Sequence, residues 1–275
     1  MPLAQQDVDY VRTLVYQQSA IVLEADKGYL VDARLTSVAM AAGSPSVAHL
    51  VERLRVERNN GLHQKVVEAL TTNETSFFRD VHPFEGLRTV VIPELMPKRA
   101  TTSRRLNVWS AACSSGQEIY TIAMMLRTDF PALATWQLGL YATDLSTAMV
   151  ERTRAGKFSQ LEVNRGLPAK YLRHFRRVGV EWQIADEFRS MVQASAMNLA
   201  IPWPKTLPTM DVIFLRNVLI YFDVETKKRI LRQARELLRP DGFLFLGGAE
   251  SPLNLDDGFE RIPLGQAGCY RLRAR

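Results

Sequence analysis

Two spacings of apolar residues divide the chain into two regions. From about residue 7 to residue 70, apolar positions recur at the spacing of amphipathic helices, in DVDYVRTLVYQQSAIVL, SVAHLVERLRVER and GLHQKVVEALTT. A turn at Gly43–Ser44–Pro45 precedes the second of these helices. The pattern predicts a small all-helical domain over residues 1–72.

From about residue 104, short apolar runs alternate with helical segments. LNVWSAA, WQLGLYATD and MDVIFLRN are strand candidates, and each precedes a helix; GFLFLGG is a fourth strand, and AGCYRLRAR closes the sheet. Strands that alternate with helices indicate a parallel, doubly wound α/β sheet. We therefore expect an α/β domain over residues 104–275.

The alternation breaks between about residues 157 and 195. Here VEWQI and EFRSMVQASA are predicted to be two strands joined by Ala185–Asp186. This hairpin would form a small antiparallel β-subdomain inserted into the α/β domain.

Composition narrows the class of protein. Apolar residues make up 47% of the chain and charged residues 23%, as in ordinary soluble globular proteins. No apolar run has membrane-spanning length, and the first residues do not form a secretory signal. Two cysteines and four scattered histidines predict neither a disulfide framework nor a metal site. We expect a cytoplasmic protein without structural metal.

The net charge of +6 is compatible with nucleic acid, an anionic membrane surface or an acidic protein as partner. Several basic residues cluster on a predicted helix pair, namely Arg53, Arg55, Arg58 and Lys65. A solvated helix face with Glu52 and Glu57 as ion-pair partners explains the same cluster.

Small and acidic residues follow the first two strands of the predicted sheet. Gly116 lies in the turn CSSG, where a helix N-terminus offers free N–H groups to a ligand. A single glycine disfavours a pyrophosphate and suits a nucleoside with an amino-acid tail. Asp144 ends the second strand, where an acidic residue commonly binds ribose hydroxyls. An ordinary turn at Gly116 and a helix N-cap at Asp144, before a helix near Thr147, remain the alternatives.

Polar residues also follow the later strands. Asn198 and Leu199 suit the edge and the face of an adenine ring, although an Asn in a loop is usually a turn residue. Arg216 and Asn217 come directly after the apolar run VIFL, at the sheet edge where Asp144 lies. Tyr221 follows, with its hydroxyl in the cleft or, alternatively, its ring packed under the sheet.

These stretches together resemble one enzyme family. TTNETSFFRD, WSAACSSGQEIYTIAMML, ATDLS, MNLA and FLRNVLIYFD look like motifs of the bacterial chemotaxis receptor methyltransferases, the CheR family. The resemblance covers nearly the whole chain and implies a Rossmann-like methyltransferase fold, with residues 73–103 as a linker helix that contributes to the cofactor site. It implies S-adenosylmethionine as cofactor and S-adenosylhomocysteine as product. The implied reaction forms methyl esters on glutamates of the cytoplasmic helices of methyl-accepting chemotaxis receptors.

The resemblance also implies roles for individual residues. Phe77 and Phe78 would anchor the TTNETSFFRD segment in the core between the two domains, and the basic cluster would steer acidic receptor helices to the cleft. Arg79 and Tyr221 match the positions proposed to act in catalysis. The implied cofactor contacts are Asn73, Thr75, Arg79, Gly116, Glu118, Asp144, Asn198, Leu199, Asn217 and Val218.

One departure from the family concerns receptor docking. Members that bind a receptor's C-terminal pentapeptide carry a glycine-containing loop extension in the inserted β element. Here RRVGVEWQI passes from helix to strand with only Gly179, which predicts a pentapeptide-independent member.

Other functions fit the sequence less well. A methyltransferase acting on nucleic-acid amines would carry an Asn/Asp-Pro-Pro-aromatic string where this chain has Arg216–Asn217–Val218–Leu219, so we expect no nucleic-acid partner. A nicotinamide-dependent oxidoreductase lacks its glycine fingerprint here. A cofactor-sensing module without turnover stays open. No insertion into the membrane is expected.

Overall fold

The computed structural model describes residues 3–57 and 61–274, and the chain divides into two compact units. The smaller unit comprises the chain up to Thr72 together with Tyr221–Thr226, and the larger unit comprises Asn73–Ile220 and the chain from Lys227 onward.

The smaller unit is built from helices whose apolar faces bury one another. Val8, Val11 and Val15 recur at helical spacing and are buried, because one stripe of the first helix faces its neighbours. An isolated bridge between Ile21 and Phe222 attaches Tyr221–Thr226 to this unit. The predicted all-helical domain is confirmed, with helices α1 Gln5–Ser19, α2 Gly28–Ala41, α3 Val47–Val56 and α4 Gly61–Leu70.

The larger unit contains two sheets. Its strands are β1 Arg105–Ala111, β2 Gln137–Asp144, β3 Lys157–Phe158, β4 Phe175–Val178, β5 Glu181–Ile184, β6 Val192–Ala196, β7 Met210–Leu215, β8 Leu238–Leu246, β9 Phe259–Leu264 and β10 Ala267–Leu272. The main sheet has seven strands in the order β6-β2-β1-β7-β8-β10-β9, and β3, β5 and β4 form a separate sheet of three. The first five strands of the main sheet are parallel, and β10 runs antiparallel to β8 and β9.

Helices cover the main sheet and complete its core. The helix α7, Gln117–Asp129, has nine of its thirteen positions buried, as expected of a helix enclosed within an α/β domain. A π-helical stretch, Leu87–Val91, joins the fifth and sixth helices. The helices are α5 His82–Gly86, α6 Ile92–Ala100, α7 Gln117–Asp129, α8 Thr147–Ala155, α9 Gln160–Asn164, α10 Ala169–Leu172, α11 Asp186–Met191 and α12 Val224–Leu237. None of the helices over residues 3–57 and 61–274 combines the length and the apolar composition that a membrane span requires.

The predicted hairpin around Ala185–Asp186 is wrong. Asp186–Met191 forms a helix, and Phe188 is buried on its inner side. The segment after it, β6, joins the main sheet parallel to β2. The hairpin of the inserted element is instead β4–β5, in which Val178 pairs with Glu181. The prediction that RRVGVEWQI passes from helix to strand is therefore also wrong, because its first part is a strand.

Two further elements differ from the sequence prediction. Strand β9 was not predicted, and it forms the edge of the main sheet beside β10. The segment 73–103 was predicted to be a linker helix, but the helical part begins only at His82. The residues before it, which include Asn73 and Arg79, have irregular backbone.

Candidate active site

The predicted site residues of the larger unit lie at the carboxyl edge of the parallel strands. Because β1 lies between β2 and β7, the strand order reverses there, and open α/β sheets bind ligands at such a point. Asp144 ends β2, Asn198 follows β6 and Asn217 follows β7. Glu118 lies in the first turn of the helix that follows β1. The edge therefore collects carboxylates and amides from neighbouring strands.

The turn between β1 and α7 has an unusual backbone. Ala112, Ser114 and Gly116 have positive φ angles of 57°, 50° and 91°. A Cβ on Gly116 would lie 2.9 Å from both Cγ2 and Oγ1 of Thr153. Glycine is required here because a side chain meets both backbone strain and a buried neighbour. Burial raises the pKa of the Cys113 thiol in this turn, which keeps the thiol neutral and unreactive.

Asp144 ties the turn to the end of β2. Its Oδ2 accepts the Ser114 N–H at 2.8 Å, and its Oδ1 accepts the Ser146 N–H at 2.9 Å. The alternative of Asp144 as the N-cap of α8 is wrong, because the Ser146 hydroxyl caps that helix by accepting the Met149 N–H. Each carboxylate oxygen has two lone pairs and can accept more than one hydrogen bond, so these bonds are compatible with a carboxylate that also meets ribose hydroxyls.

Glu118 belongs to a charge cluster centred on the buried Arg216. The Arg216 side chain is only 2% exposed, and its Nη1 donates to Glu118 Oε2 at 2.7 Å. Its Nη2 donates to the Arg79 carbonyl at 2.9 Å and to Asp80 Oδ2 at 2.8 Å. Ser110 donates to the other oxygen of Glu118 at 2.8 Å. Arg216 therefore fixes the backbone at Arg79 beside the carboxylate predicted to bind the amino-acid tail.

The segment Asn73–Asp80 is fastened to this turn and to the inserted element. Ser114 Oγ donates to the Asn73 carbonyl at 2.7 Å. Phe77 is fully buried, with ring centroids 4.9 Å from Phe158 and 5.6 Å from Phe175. Phe78 stacks on Tyr171 at 5.0 Å. All these partners belong to the larger unit, so the two rings are anchored in its core, which corrects the expected core between the domains.

The polar side chains of this segment are accessible. Asn73, Thr75 and Arg79 are half-buried. Arg79 Nη1 donates to the Glu74 carbonyl at 2.6 Å, which is its one hydrogen bond among the described residues. The Glu74 side chain pairs with Arg165 at 2.5 Å, and this bond lowers the pKa of Glu74 below its ordinary value. The Arg79 guanidinium thus keeps donors for a ligand.

Hydrogen bonds also shape the loops that follow β6 and β7 at this edge. Asn198 Oδ1 accepts the Ala200 N–H at 2.9 Å, so the turn role weighed for Asn198 is present. The Leu199 carbonyl accepts a hydrogen bond from Trp203 Nε1 at 3.1 Å. Asn217 has a positive φ of 57°, and the N–H groups of Asn217 and Val218 donate to the Glu250 carboxylate.

Sequence reasoning did not assign roles to Arg216 or Glu250. The abrupt charge after the apolar run VIFL marked Arg216 as a strand-end residue, but not as the centre of an ion cluster. Glu250 has no comparable signal, since its partners on the loop after β7 are distant in the chain.

The other predicted residues belong to the smaller unit. Tyr221 is half-buried, so its ring is not packed away completely. Arg53 pairs with Glu57 at 3.0 Å, and Arg55 pairs with Asp7 at 2.9 Å. Lys65 is exposed, and no ion pair to it occurs among the described residues. Arg58 lies outside them.

Comparison with known families decides the kind of protein. The family model described as CheR methyltransferase, SAM binding domain, matches residues 73–267, and the one described as CheR methyltransferase, all-alpha domain, matches residues 6–71. The chain belongs to the CheR methyltransferase family. Chemotaxis protein methyltransferase 1 of Pseudomonas aeruginosa is 39% identical, over 99% of this chain and 100% of that protein. Chemotaxis protein methyltransferase Cher2 of Pseudomonas putida is 37% identical, over 97% and 98%. Chemotaxis protein methyltransferase of Escherichia coli is 33% identical, over 94% and 89%.

This CheR chain is a methyltransferase that depends on S-adenosylmethionine. The edge residues fit that cofactor, since the carboxylates of Asp144, which is buried, and Glu118, whose side chain is 12% exposed, suit hydroxyls and a cationic amino-acid tail, and Gly116 places no side chain at its position in the turn. Within the described part of the chain, no group of three or more His, Cys, Asp and Glu side chains is arranged to hold a metal ion.

Replacing Gly116 by alanine tests the turn. The added Cβ clashes with Thr153, whose hydroxyl donates to the Ser114 carbonyl, so the turn must shift. We expect the dissociation constant of S-adenosylhomocysteine, measured by calorimetry, to rise about tenfold. Gly179→Ala is the matched control, because Gly179 also has a positive φ but no atom lies within 4 Å of its added Cβ. Equal affinity in both variants would contradict a cofactor role for the turn.

Proposed function

We propose that this methyltransferase esterifies glutamate side chains on the cytoplasmic helices of chemoreceptors, as part of sensory adaptation in chemotaxis. The main support is the near full-length similarity to relatives named chemotaxis protein methyltransferases. The arrangement around Arg79 also supports it, since a guanidinium with free donors suits a carboxylate substrate.

The chemistry makes few demands on the protein. When bound, S-adenosylmethionine supplies an electrophilic methyl group on a sulfonium sulfur. The substrate glutamate is already ionised at neutral pH, so no general base is required. The chain's residues then act by orienting the carboxylate and excluding water.

Arg79 and Tyr221 are the proposed catalytic residues. Arg79 would hold the substrate carboxylate through one oxygen and leave the other free to attack the methyl carbon. The Tyr221 hydroxyl would donate one hydrogen bond to the other side of the same carboxylate, and the attacking oxygen would keep a second lone pair for the methyl carbon. Glu118 and Asp144 would hold the cofactor, with its adenine beside Asn198, Leu199, Asn217 and Val218, and Asn73 and Thr75 facing it.

The inserted element supports methylation that is independent of a receptor pentapeptide. Its β4–β5 hairpin pairs Val178 with Glu181, so only Gly179 and Val180 lie between the strands. A connection this short leaves no loop extension for a bound peptide. We propose that the receptor helices alone bring the substrate to the site.

The proposal is tested with receptor membranes from the same organism and the cofactor. Peptides are analysed by mass spectrometry, with receptors that carry or lack their C-terminal pentapeptide. We expect methylated glutamates in both samples at equal rates. Methyl groups on lysine or arginine would contradict carboxyl methylation. A reaction that is lost when the receptor lacks its pentapeptide would contradict independent docking. A protein that binds the cofactor but modifies no receptor would be a binding module.

We propose that the basic cluster steers the acidic receptor to the site and that Lys65 contributes most to this steering. Arg53 and Arg55 are engaged in intramolecular ion pairs, so Lys65 is the most available charge among the described residues of the cluster. Lys65→Glu should lower kcat/KM for the receptor at low salt, and the effect should fade above about 0.1 M salt as charges are screened. Lys205→Glu, at an exposed lysine of the larger unit, is the control. Equal losses in both variants would contradict a specific steering face.

A further inference from the structure

Glu250 is a buried carboxylate bonded almost entirely to backbone. The residue is 8% exposed and lies in the turn that follows β8. Its Oε2 accepts the N–H groups of Gly247 at 2.7 Å and Asn217 at 2.8 Å. Its Oε1 accepts those of Val218 at 2.8 Å and Ile220 at 3.3 Å. Three of these donors belong to the loop after β7, so one side chain controls the backbone of that loop.

The sheet explains why Glu250 reaches this loop. Leu215 at the end of β7 pairs with Leu246 at the end of β8, so the loops that follow the two parallel strands begin side by side. Asn217, with its φ of 57°, turns the chain so that successive N–H groups converge. Convergent N–H groups form a nest that binds anions, and the Glu250 carboxylate occupies it. Hydrogen bonds to an ionised acceptor are stronger than neutral ones.

We propose that Glu250 is a positioning residue for the methyltransferase site. It acts through the loop after β7, which carries Asn217 and Val218 on the predicted adenine side and continues from Ile220 into Tyr221. The proposed role is indirect, because both Glu250 oxygens accept backbone N–H groups. The part that concerns Tyr221 rests on the proposed function, whereas the part that concerns Asn217 and Val218 requires only that the chain binds its cofactor.

Glu250→Gln tests the role with little change of shape. The amide oxygen accepts bonds on one side, but the NH₂ group faces N–H donors on the other and cannot accept them. The loop must move to recover partners. We expect the dissociation constant of S-adenosylhomocysteine to rise about tenfold and kcat for receptor methylation to fall about tenfold.

Asp256→Asn is the matched control for a role in stability alone. The Asp256 side chain accepts the Gly258 N–H at 2.8 Å and pairs with Arg235 at 3.2 Å, and it is 8% exposed although the residue as a whole is half-buried, so the same chemical change occurs in the same unit. Both variants should lower the melting temperature. Only the Glu250 variant should change the affinity for S-adenosylhomocysteine.

A pair of glycine variants covers the case in which Glu250→Gln does not fold. A Cβ on Gly247 would lie 2.7 Å from Glu250 Oε2 and 2.9 Å from the Asn217 nitrogen, which displaces the carboxylate without removing it. A Cβ on the neighbouring Gly248 has no atom within 4 Å. Gly247→Ala should weaken S-adenosylhomocysteine binding, and Gly248→Ala should bind as the unmodified protein does.

The outcomes separate this proposal from the proposed function. Glu250 has no positioning role if the folded variants, Gly247→Ala included, keep both the dissociation constant and kcat within about twofold of the unmodified protein. If affinity falls as expected but receptors are never methylated, the role toward the cofactor stands and the glutamate substrate is wrong. Calorimetry with S-adenosylhomocysteine needs no receptor, so the two failures are distinguishable.

Discussion

Replacing Arg79 by alanine is expected to lower kcat for receptor methylation about 100-fold, because the substrate carboxylate loses the group that orients it. The Arg79 backbone is held by Arg216, and its guanidinium makes one hydrogen bond, to the Glu74 carbonyl, among the described residues. The fold does not depend on that side chain, so the melting temperature should stay nearly unchanged. Arg79→Lys keeps the positive charge but loses the paired N–H donors of the guanidinium, so its kcat should lie between those of the unmodified protein and Arg79→Ala.

Initial-rate kinetics with radioactive cofactor and receptor membranes measure the effect. Arg154→Ala is the control, because Arg154 is an exposed arginine in the last turn of α8 that pairs with Glu151 at 2.5 Å and donates to the Ala194 carbonyl of the edge strand β6. It should retain full activity. Full turnover in a folded Arg79→Ala variant would remove Arg79 from the mechanism.

Replacing Arg99 by methionine is expected to cause the largest loss of stability, about 3–5 kcal/mol in the free energy of unfolding. Arg99 is 8% exposed at its side chain and bonds Asp211, which is 1% exposed, at 2.6 Å. It also forms a two-bond contact with Asp241, at 2.7 and 3.0 Å. Without the guanidinium, the partners of the buried Asp211 carboxylate in the described part of the chain are the Asn107 N–H and, at a longer 3.3 Å, Arg239 Nε.

Chemical denaturation followed by circular dichroism measures this loss. The neighbouring Lys98→Met is the control, since Lys98 is 43% exposed and its ion pairs should contribute at most about 1 kcal/mol. A loss for Arg99→Met no larger than for Lys98→Met would contradict the buried network.

The contribution of the Arg99–Asp241 ion pair to the free energy of unfolding depends on pH in a definite direction. The Arg99 hydrogen bonds hold the pKa of Asp241 below its ordinary value. A lowered pKa in the folded state contributes stability above the ordinary value, about 3.9, and the contribution disappears as pH falls through the folded-state pKa. The difference between the unmodified protein and Arg99→Met should therefore be largest near neutral pH and shrink under acid conditions.

The central strands could be predicted because their burial leaves a simple pattern. In β7 every position is buried, and after Asp211 its residues form the apolar run VIFL, which ends abruptly at Arg216. In contrast, the six residues Asp186–Met191 are too few for helical periodicity to be distinguished from a strand. Strand β9 contains Pro263, which weakens a strand assignment from sequence but is tolerated at the edge of a sheet.

The site was only partly predictable for a related reason. Asp144 and Asn217 are visible because each follows an apolar strand, and Glu118, Asn73 and Thr75 were identified by resemblance alone. Glu250 became visible only through the pairing of β7 with β8, since no local pattern joins it to Asn217. Residues that support a site from another loop depend on long-range packing and leave no local signal.

One measurement tests the central claim most directly. The protein is mixed with methyl-labelled S-adenosylmethionine and membranes that carry the organism's chemoreceptors. The membranes are then washed and treated with mild alkali. Carboxyl methyl esters release the label as volatile methanol, which is the result that we predict. Label that stays on the receptor after alkali would mean methylated amines and would contradict glutamate esterification.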